Sequence, residues 1–179
     1  MPGARGVAFR SEIEDFGAFY ERTYQVAFRT ALAIVRDSAL AADVTQEAYV
    51  SAYEQRERFR GDAPGHAWLH RIVVNRSLMT MRRHRPAVRE IEPTDAKAPD
   101  SSPASADRLA VLAALDGLTP QQRAAVVLRY YHDYDYATIA RILGTTTSNV
   151  GAILNRARER LRVQLEPGSA VQAAAGLGR

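Results

Sequence analysis

"TIARILGTTTSNVGAILNRARERLR", residues 138–162, decides how the fold is read. Its apolar residues keep helical spacing on both sides of Gly144, which makes two helices joined by a tight turn. With Tyr136 as the first position, Ile139 and Leu143 point inward, and Ala140 is the small residue where the helices cross. Gly144 occupies the turn, where positive φ is easy only for glycine. Val150 and Ile153 pin the second helix onto the first. This register is that of a helix-turn-helix, whose second helix meets bases mainly with its N-terminal residues.

That tip carries no charge. Thr146, Thr147, Ser148 and Asn149 instead offer hydroxyls and an amide to base edges, with Gly151 and Ala152 allowing close backbone approach. Attraction to phosphates is assigned to Arg141 and to the run from Arg156 and Arg158 to Arg162. Two plainer readings stand beside this one: the arginines as a solvated helix face, and the hairpin as a protein-docking domain.

The chain has 179 residues, 46% hydrophobic and 25% charged, with net charge +4 and a sequence pI near 9.7. A basic balance favours a polyanion or an acidic protein surface as partner. Lys97 is the only lysine, so the positive charge is almost all guanidinium. Cysteine is absent, which excludes disulfides, thiolate zinc sites and cysteine nucleophiles. No signal-peptide core precedes the first acids and no apolar run approaches bilayer length, so a cytoplasmic chain without membrane insertion is expected.

The expected fold class is all-α, two small helical domains joined by a flexible linker, because no segment shows sustained alternation. The linker, 87–107, carries Pro93, Pro99 and Pro103 among Asp, Ser and Ala. It separates an N-terminal domain, 10–86, from a C-terminal helix-turn-helix domain of four helices, 108–163; a disordered tail, 164–179, comes last. Ser11 is the expected cap of a first helix whose inward face holds Ile13, Phe16, Tyr20, Tyr24, Ala27, Phe28, Ala31, Ile34 and Val35. A second helix from about Ser38 turns Leu40, Ala41, Val44, Ala48, Ala52 and Tyr53 inward. "RGDAPG" breaks the pattern before a third helix, about His66 to His84, with Trp68, Leu69, Ile72, Val73 and Met79 as core. In the second domain a short helix near Leu109 to Leu115 precedes Thr119-Pro120-Gln121-Gln122, a threonine cap with proline at the first helical position and glutamine at N3. Ala124, Val127, Leu128 and Tyr131 face the core of that helix, and Asp133 or Asp135 caps the next.

From Arg56 to Arg89 there are nine arginines against two acids, Glu57 and Asp62, with Phe59 and Trp68 interleaved. Such a mixture suits capture of a single strand, although Trp68, spaced helically with Ile72, also reads as core. Four runs now carry a resemblance: "DVTQEAYVSAY" (43–53), "FRGDA" with "WLHRIVVN" (59–63 and 68–75), "LTPQQRAAVVLRYY" (118–131) and "YATIARILG…NVGAILNRARERLR" (136–162). In this order and spacing the chain resembles an extracytoplasmic-function sigma factor of bacterial RNA polymerase. The resemblance implies an alternative sigma factor that binds core polymerase and directs promoter recognition, strand opening and initiation.

It further implies that Asp43, Gln46 and Glu47 meet the clamp helices of the β′ subunit, with Val44 and Ala48 packed inside. Arg60, Asp62 and His66, in the loop from about Arg60 to His66, with Arg71, Asn75, Arg76 and Arg82 on the next helix, would serve the minus-ten element and its exposed non-template strand. Thr146, Thr147, Ser148, Asn149, Arg156 and Arg158 would serve the duplex minus-thirty-five element, the same domain leaning on the β flap. An anti-sigma factor is a further partner of the family. Gly65, Thr138, Gly151 and Ile153 depart from common family residues, which leaves the promoter sequence open.

No catalytic residue, cofactor or metal is expected: His66 and His70 are four apart, but Ala67 stands where a metalloprotease helix has glutamate. Two other functions remain compatible with these residues. One is a dimeric helix-turn-helix regulator acting without polymerase; the other is a sigma mimic that titrates an anti-sigma factor.

Overall fold

Helix after helix, with no strand among the described residues, builds two units. The computed structural model describes residues 13–61, 63–84 and 114–165. The expected linker, Ser11 and most of the expected tail lie outside them.

In the first unit α1 spans Phe16–Val35, α2 Ser38–Gln55 and α3 Gly65–Arg83, with a 3₁₀ turn at Arg56–Arg58. Helix α1 begins at Asp15, four residues later than Ser11 would have it, because the Asp15 carboxylate accepts from the Ala18 amide at 3.0 Å. Ile13, ahead of the cap, tucks into the core instead. Arg36 closes α1 in the left-handed region, φ 64°, and Asp37 caps α2 by accepting from Leu40 N at 2.8 Å. A two-residue joint therefore reverses the chain. All three helices pack on one another. Ala41, Ala48 and Ala52 on α2 are fully buried, and such small side chains let the neighbouring helices approach closely around Phe19, Val44, Leu69 and Val73. The buried hydroxyls of Thr30, Thr45 and Ser77 donate to carbonyls one turn back, so this core leaves no hydroxyl orphaned.

Tyrosines overturn two expected core positions. Tyr20 is 42% and Tyr53 50% exposed; Phe19 and Tyr49 take the buried places. Phe19 has no polar tip to keep wet, whereas the Tyr20 ring leans on Tyr49 (4.7 Å between centroids) with its hydroxyl free to reach water. Tyr53 is drawn outward under the Arg56 guanidinium, 3.8 Å above its ring. Tyr49 satisfies its own hydroxyl with Thr23 Oγ1 at 2.7 Å. Burial pushes Tyr49 up to about 12, and Tyr134 in the second unit likewise. Unfolded phenols ionise near 10, so the stability these two groups carry is whole below about pH 10 and falls as pH rises towards 12. Alkaline titration is expected to unfold the chain across that window, and Tyr49→Phe to remove one late-ionising phenol from the absorbance curve. An unaltered curve would place Tyr49 among the surface phenols.

The second unit starts, among described residues, with the helical end at 114–116. Thr119 and Gln122 then form the expected capping box: Gln122 N donates to Thr119 Oγ1 at 3.3 Å and Thr119 N to Gln122 Oε1 at 3.0 Å. Pro120 occupies the first position of α4, Pro120–Val126. Beyond it the chain widens into a π turn, Val127–Tyr131, in which His132 N reaches back five residues to Val127 O at 3.1 Å. One extra residue in a turn rotates every later side chain by about 100°, and Tyr131, expected inward, is 50% exposed. Asp133 takes φ 52°, and Asp135, rather than Asp133, caps the next helix by accepting from Thr138 N at 2.7 Å.

That helix, α5, spans Tyr136–Leu143, and α6 spans Thr147–Leu165, so Gln164 and Leu165 are helical where the tail was expected. Ile139 and Val150 are wholly buried, with Ala140 and Ile153 nearly so; Leu143 is only half-buried. Gly144 has φ 63° and open space around its missing Cβ, so backbone conformation rather than crowding requires glycine there. At Gly151, by contrast, φ is ordinary and an added Cβ would meet Tyr136 Cε2 at 3.6 Å, a normal contact. Gly151→Ala is therefore expected to stabilise the chain by about 0.5–1 kcal/mol through helix propensity. Thermal melting checks this, and a lowered melting temperature would expose a closer approach than the geometry allows.

Candidate nucleic-acid interface

Helix α3 carries the first basic surface. Arg71, Asn75 and Arg82 are all exposed, and at 3.6 residues per turn they fall within about 40° of one another around the axis. They form one face. Arg76 belongs to another, about 140° away from Arg71: its Nη1 donates to Glu47 Oε2 at 2.9 Å and its Nη2 to Ser51 Oγ, both on α2. His66 is exposed in the first turn of α3, 6.0 Å ring to ring from His70, which is buried. Arg60 is exposed in the preceding loop, Gly61 beside it has φ 74°, and Asp62 lies outside the described residues. Phe59 is buried and packs against half-buried Trp68 at 5.0 Å, so this aromatic pair anchors the loop to the core.

On α2, Asp43, Gln46 and Glu47 are exposed while Val44 and Ala48 are buried, the alternation expected of a docking face over a packed one. The same stripe continues through Val50, 53% exposed, and Glu54. Between α1 and α2 lies an open groove of about 690 Å³ floored by Phe16, Tyr20, Tyr24, Tyr49 and Tyr53. Sequence periodicity missed it by counting tyrosine as wholly apolar; the crowding of aromatic rings within a few turns was the available signal.

At the tip of α6 the hydroxyl of Thr146 accepts from Asn149 N at 3.2 Å, and Asn149 Nδ2 donates to Thr145 Oγ1 at 2.8 Å. The Asn149 amide is thus oriented from behind, while Thr147, Ser148 and Asn149 face solvent. Farther along, Arg156 and Arg158 are exposed and bonded within their own helix, to Ala152 O and Asn155 Oδ1. Arg160 and Arg162 have other engagements: Arg160 donates to Gln122 Oε1 of α4 at 3.0 Å, and Arg162 to Glu159 at 2.8 Å. The Arg162 hydrogen bond, then its charge, holds the Glu159 carboxyl below the ordinary glutamate range. The arginine run is therefore less uniform than its sequence. Among the described residues no three acids or histidines gather as a metal site, and no helix is long and apolar enough to cross a membrane.

A helical chain with a basic α3 face in one unit and a helix-turn-helix in the other has the form of a bipartite DNA-binding protein. Residues 19–87 match the model of Sigma-70 region 2, and residues 108–161 that of Sigma-70, region 4. The chain is 38% identical over 153 residues to the ECF RNA polymerase sigma factor SigM of Mycobacterium tuberculosis, covering 82% of this chain and 74% of that one. It is 30% identical over 158 residues to the RNA polymerase sigma-E factor of Streptomyces antibioticus, covering 88% of each. Its fold resembles the sigma factor RpoE of Bartonella quintana, solved with the anti-sigma factor NepR, at TM-score 0.68 and 21% identity over 87% of this chain and 99% of that one. It also resembles CnrH, solved with the cytosolic domain of CnrY, at TM-score 0.66 and 24% identity over 92% and 96%. The chain belongs to the extracytoplasmic-function family of RNA polymerase sigma factors.

Proposed function

We propose that this chain is an alternative sigma factor in which residues 10–86 hold core polymerase and the minus-ten element while residues 108–163 grip the minus-thirty-five duplex. The observation that carries the reading is the occurrence of region 2 and region 4 matches in order on one chain. Asp43, Gln46 and Glu47 are the polymerase contacts, meeting the β′ clamp helices, and the second unit leans on the β flap. Arg60, Asp62, His66, Arg71, Asn75 and Arg82 act at the minus-ten element; Arg76, turned towards α2, is not among them. Thr146, Thr147, Ser148, Asn149, Arg156 and Arg158 act upstream. Catalysis belongs to the polymerase, which places the chain in the cytoplasm. An anti-sigma factor is the natural restraining partner, since RpoE and CnrH were each solved with a bound partner chain.

Run-off transcription from a pool of genomic fragments with cognate core enzyme tests the function; initiation no better with the chain than without it would overturn it. A gel shift with and without core separates this reading from a stand-alone dimeric regulator, which would retard an operator unaided. Asn149→Ala is expected to change base preference upstream by about five- to a hundredfold at one position, an amide–base pair being worth roughly 1–3 kcal/mol, with core binding unchanged. A selection assay returning the parental preference would remove Asn149 from the reading surface.

A further inference from the structure

Arg76 stands in sequence among residues suited to promoter DNA, but its guanidinium is committed elsewhere. Both terminal nitrogens reach across to α2, one to Glu47 at 2.9 Å and the other to Ser51, which is buried. Glu47 and Ser51 are one helical turn apart, a spacing that the planar fork of arginine spans and the single ammonium of lysine does not. On the outer side of the same turn stands Asp43, four residues from Glu47, and like charges at that separation on a helix repel. Arg76 offsets this repulsion and fixes the Glu47 carboxylate in one orientation, while the carboxylate remains more than half exposed. These two bonds aim the guanidinium at α2, away from the face that carries Arg71, Asn75 and Arg82.

We infer that Arg76 is a positioning residue for polymerase recruitment: it presents Glu47 to the core enzyme from behind and contacts no promoter base itself. The inference rests on the assignment of Glu47 to the polymerase interface. Because the pair is partly solvated, its effect belongs to orientation and affinity more than to fold stability.

The test is a double-mutant cycle on the full chain, read as the dissociation constant for purified core polymerase. Glu47→Gln is expected to weaken binding about tenfold, and Arg76→Ala about three- to fivefold, the range of a partly exposed charge pair. The Glu47→Gln, Arg76→Ala double variant should be no weaker than Glu47→Gln alone, since Arg76 acts through Glu47. Arg76→Lys should recover only part of the loss. Binding of a single-stranded non-template oligonucleotide by holoenzyme assembled at saturating core should be unchanged in Arg76→Ala. If Glu47→Gln weakens core binding but Arg76→Ala does not, or if the two losses simply add, the positioning role is overturned while the interface stands. A loss confined to oligonucleotide binding would overturn it too, making Arg76 a direct DNA contact. Should Glu47→Gln bind core normally, the interface assignment fails and takes the inference with it.

Discussion

Leu69→Ala is expected to destabilise the first unit by about 3 kcal/mol, within the range for a fully buried leucine. Leu69 has no exposed surface and sits where α3 meets the cluster formed by α1 and α2. The alanines of the same cluster, Ala41, Ala48 and Ala52, have nothing further to extend into a space, so the cavity would close only in part. Small domains hold roughly 5–15 kcal/mol in total, so this one change removes a large share. The melting temperature should fall by more than about 10 °C at a few degrees per kcal/mol, and initiation at physiological temperature should fall with it. Circular dichroism melting checks the claim. A shift of a degree or two would mean that the core is plastic at Leu69.

Asn75→Ala is expected to reduce promoter opening by about ten- to a hundredfold while recruitment stays at its parental level. Asn75 is exposed on the same α3 face as Arg71 and Arg82, which supply charge but no neutral donor–acceptor pair. An amide reading an unstacked base is worth roughly 1–3 kcal/mol, and a base without that partner re-stacks more readily. Permanganate reactivity of thymines at the start site measures opening, and co-purification with core measures recruitment. Normal melting in the variant would move the strand-capture surface off this face. Arg76, next in sequence, should show the opposite profile, with recruitment impaired and capture intact. Adjacent residues acquire opposite phenotypes because successive side chains on a helix stand about 100° apart.

Much of this was legible residue by residue. The Thr119–Gln122 box, Pro120 at the first position, an aspartate cap before α5, Gly144 in the left-handed turn and the burial of Val44 and Ala48 beneath Asp43 and Glu47 are local matters. Each is settled by hydrogen bonds within one turn or by the period of one helix, and a linear string carries both. The recognition tip is equally local, since Thr146 and Asn149 bond within three residues.

Other features could not be read that way. Helical spacing admits both Tyr20 and Phe19 near the inward face; which one is buried depends on Tyr49 of another helix and on where a hydroxyl finds water. Tyr131 turned outward because a π turn changed the register, a change no single residue announces. Arg76 and Arg160 look like free cations until α2 brings Glu47 and Ser51 within reach of one and α4 brings Gln122 to the other, across separations of 25 to 38 residues. Short-range chemistry written into the chain thus specified the helices and the family. The assignment of each charged or aromatic side chain to solvent, core or partner waited on packing, because that choice is an energy difference between neighbours distant in sequence.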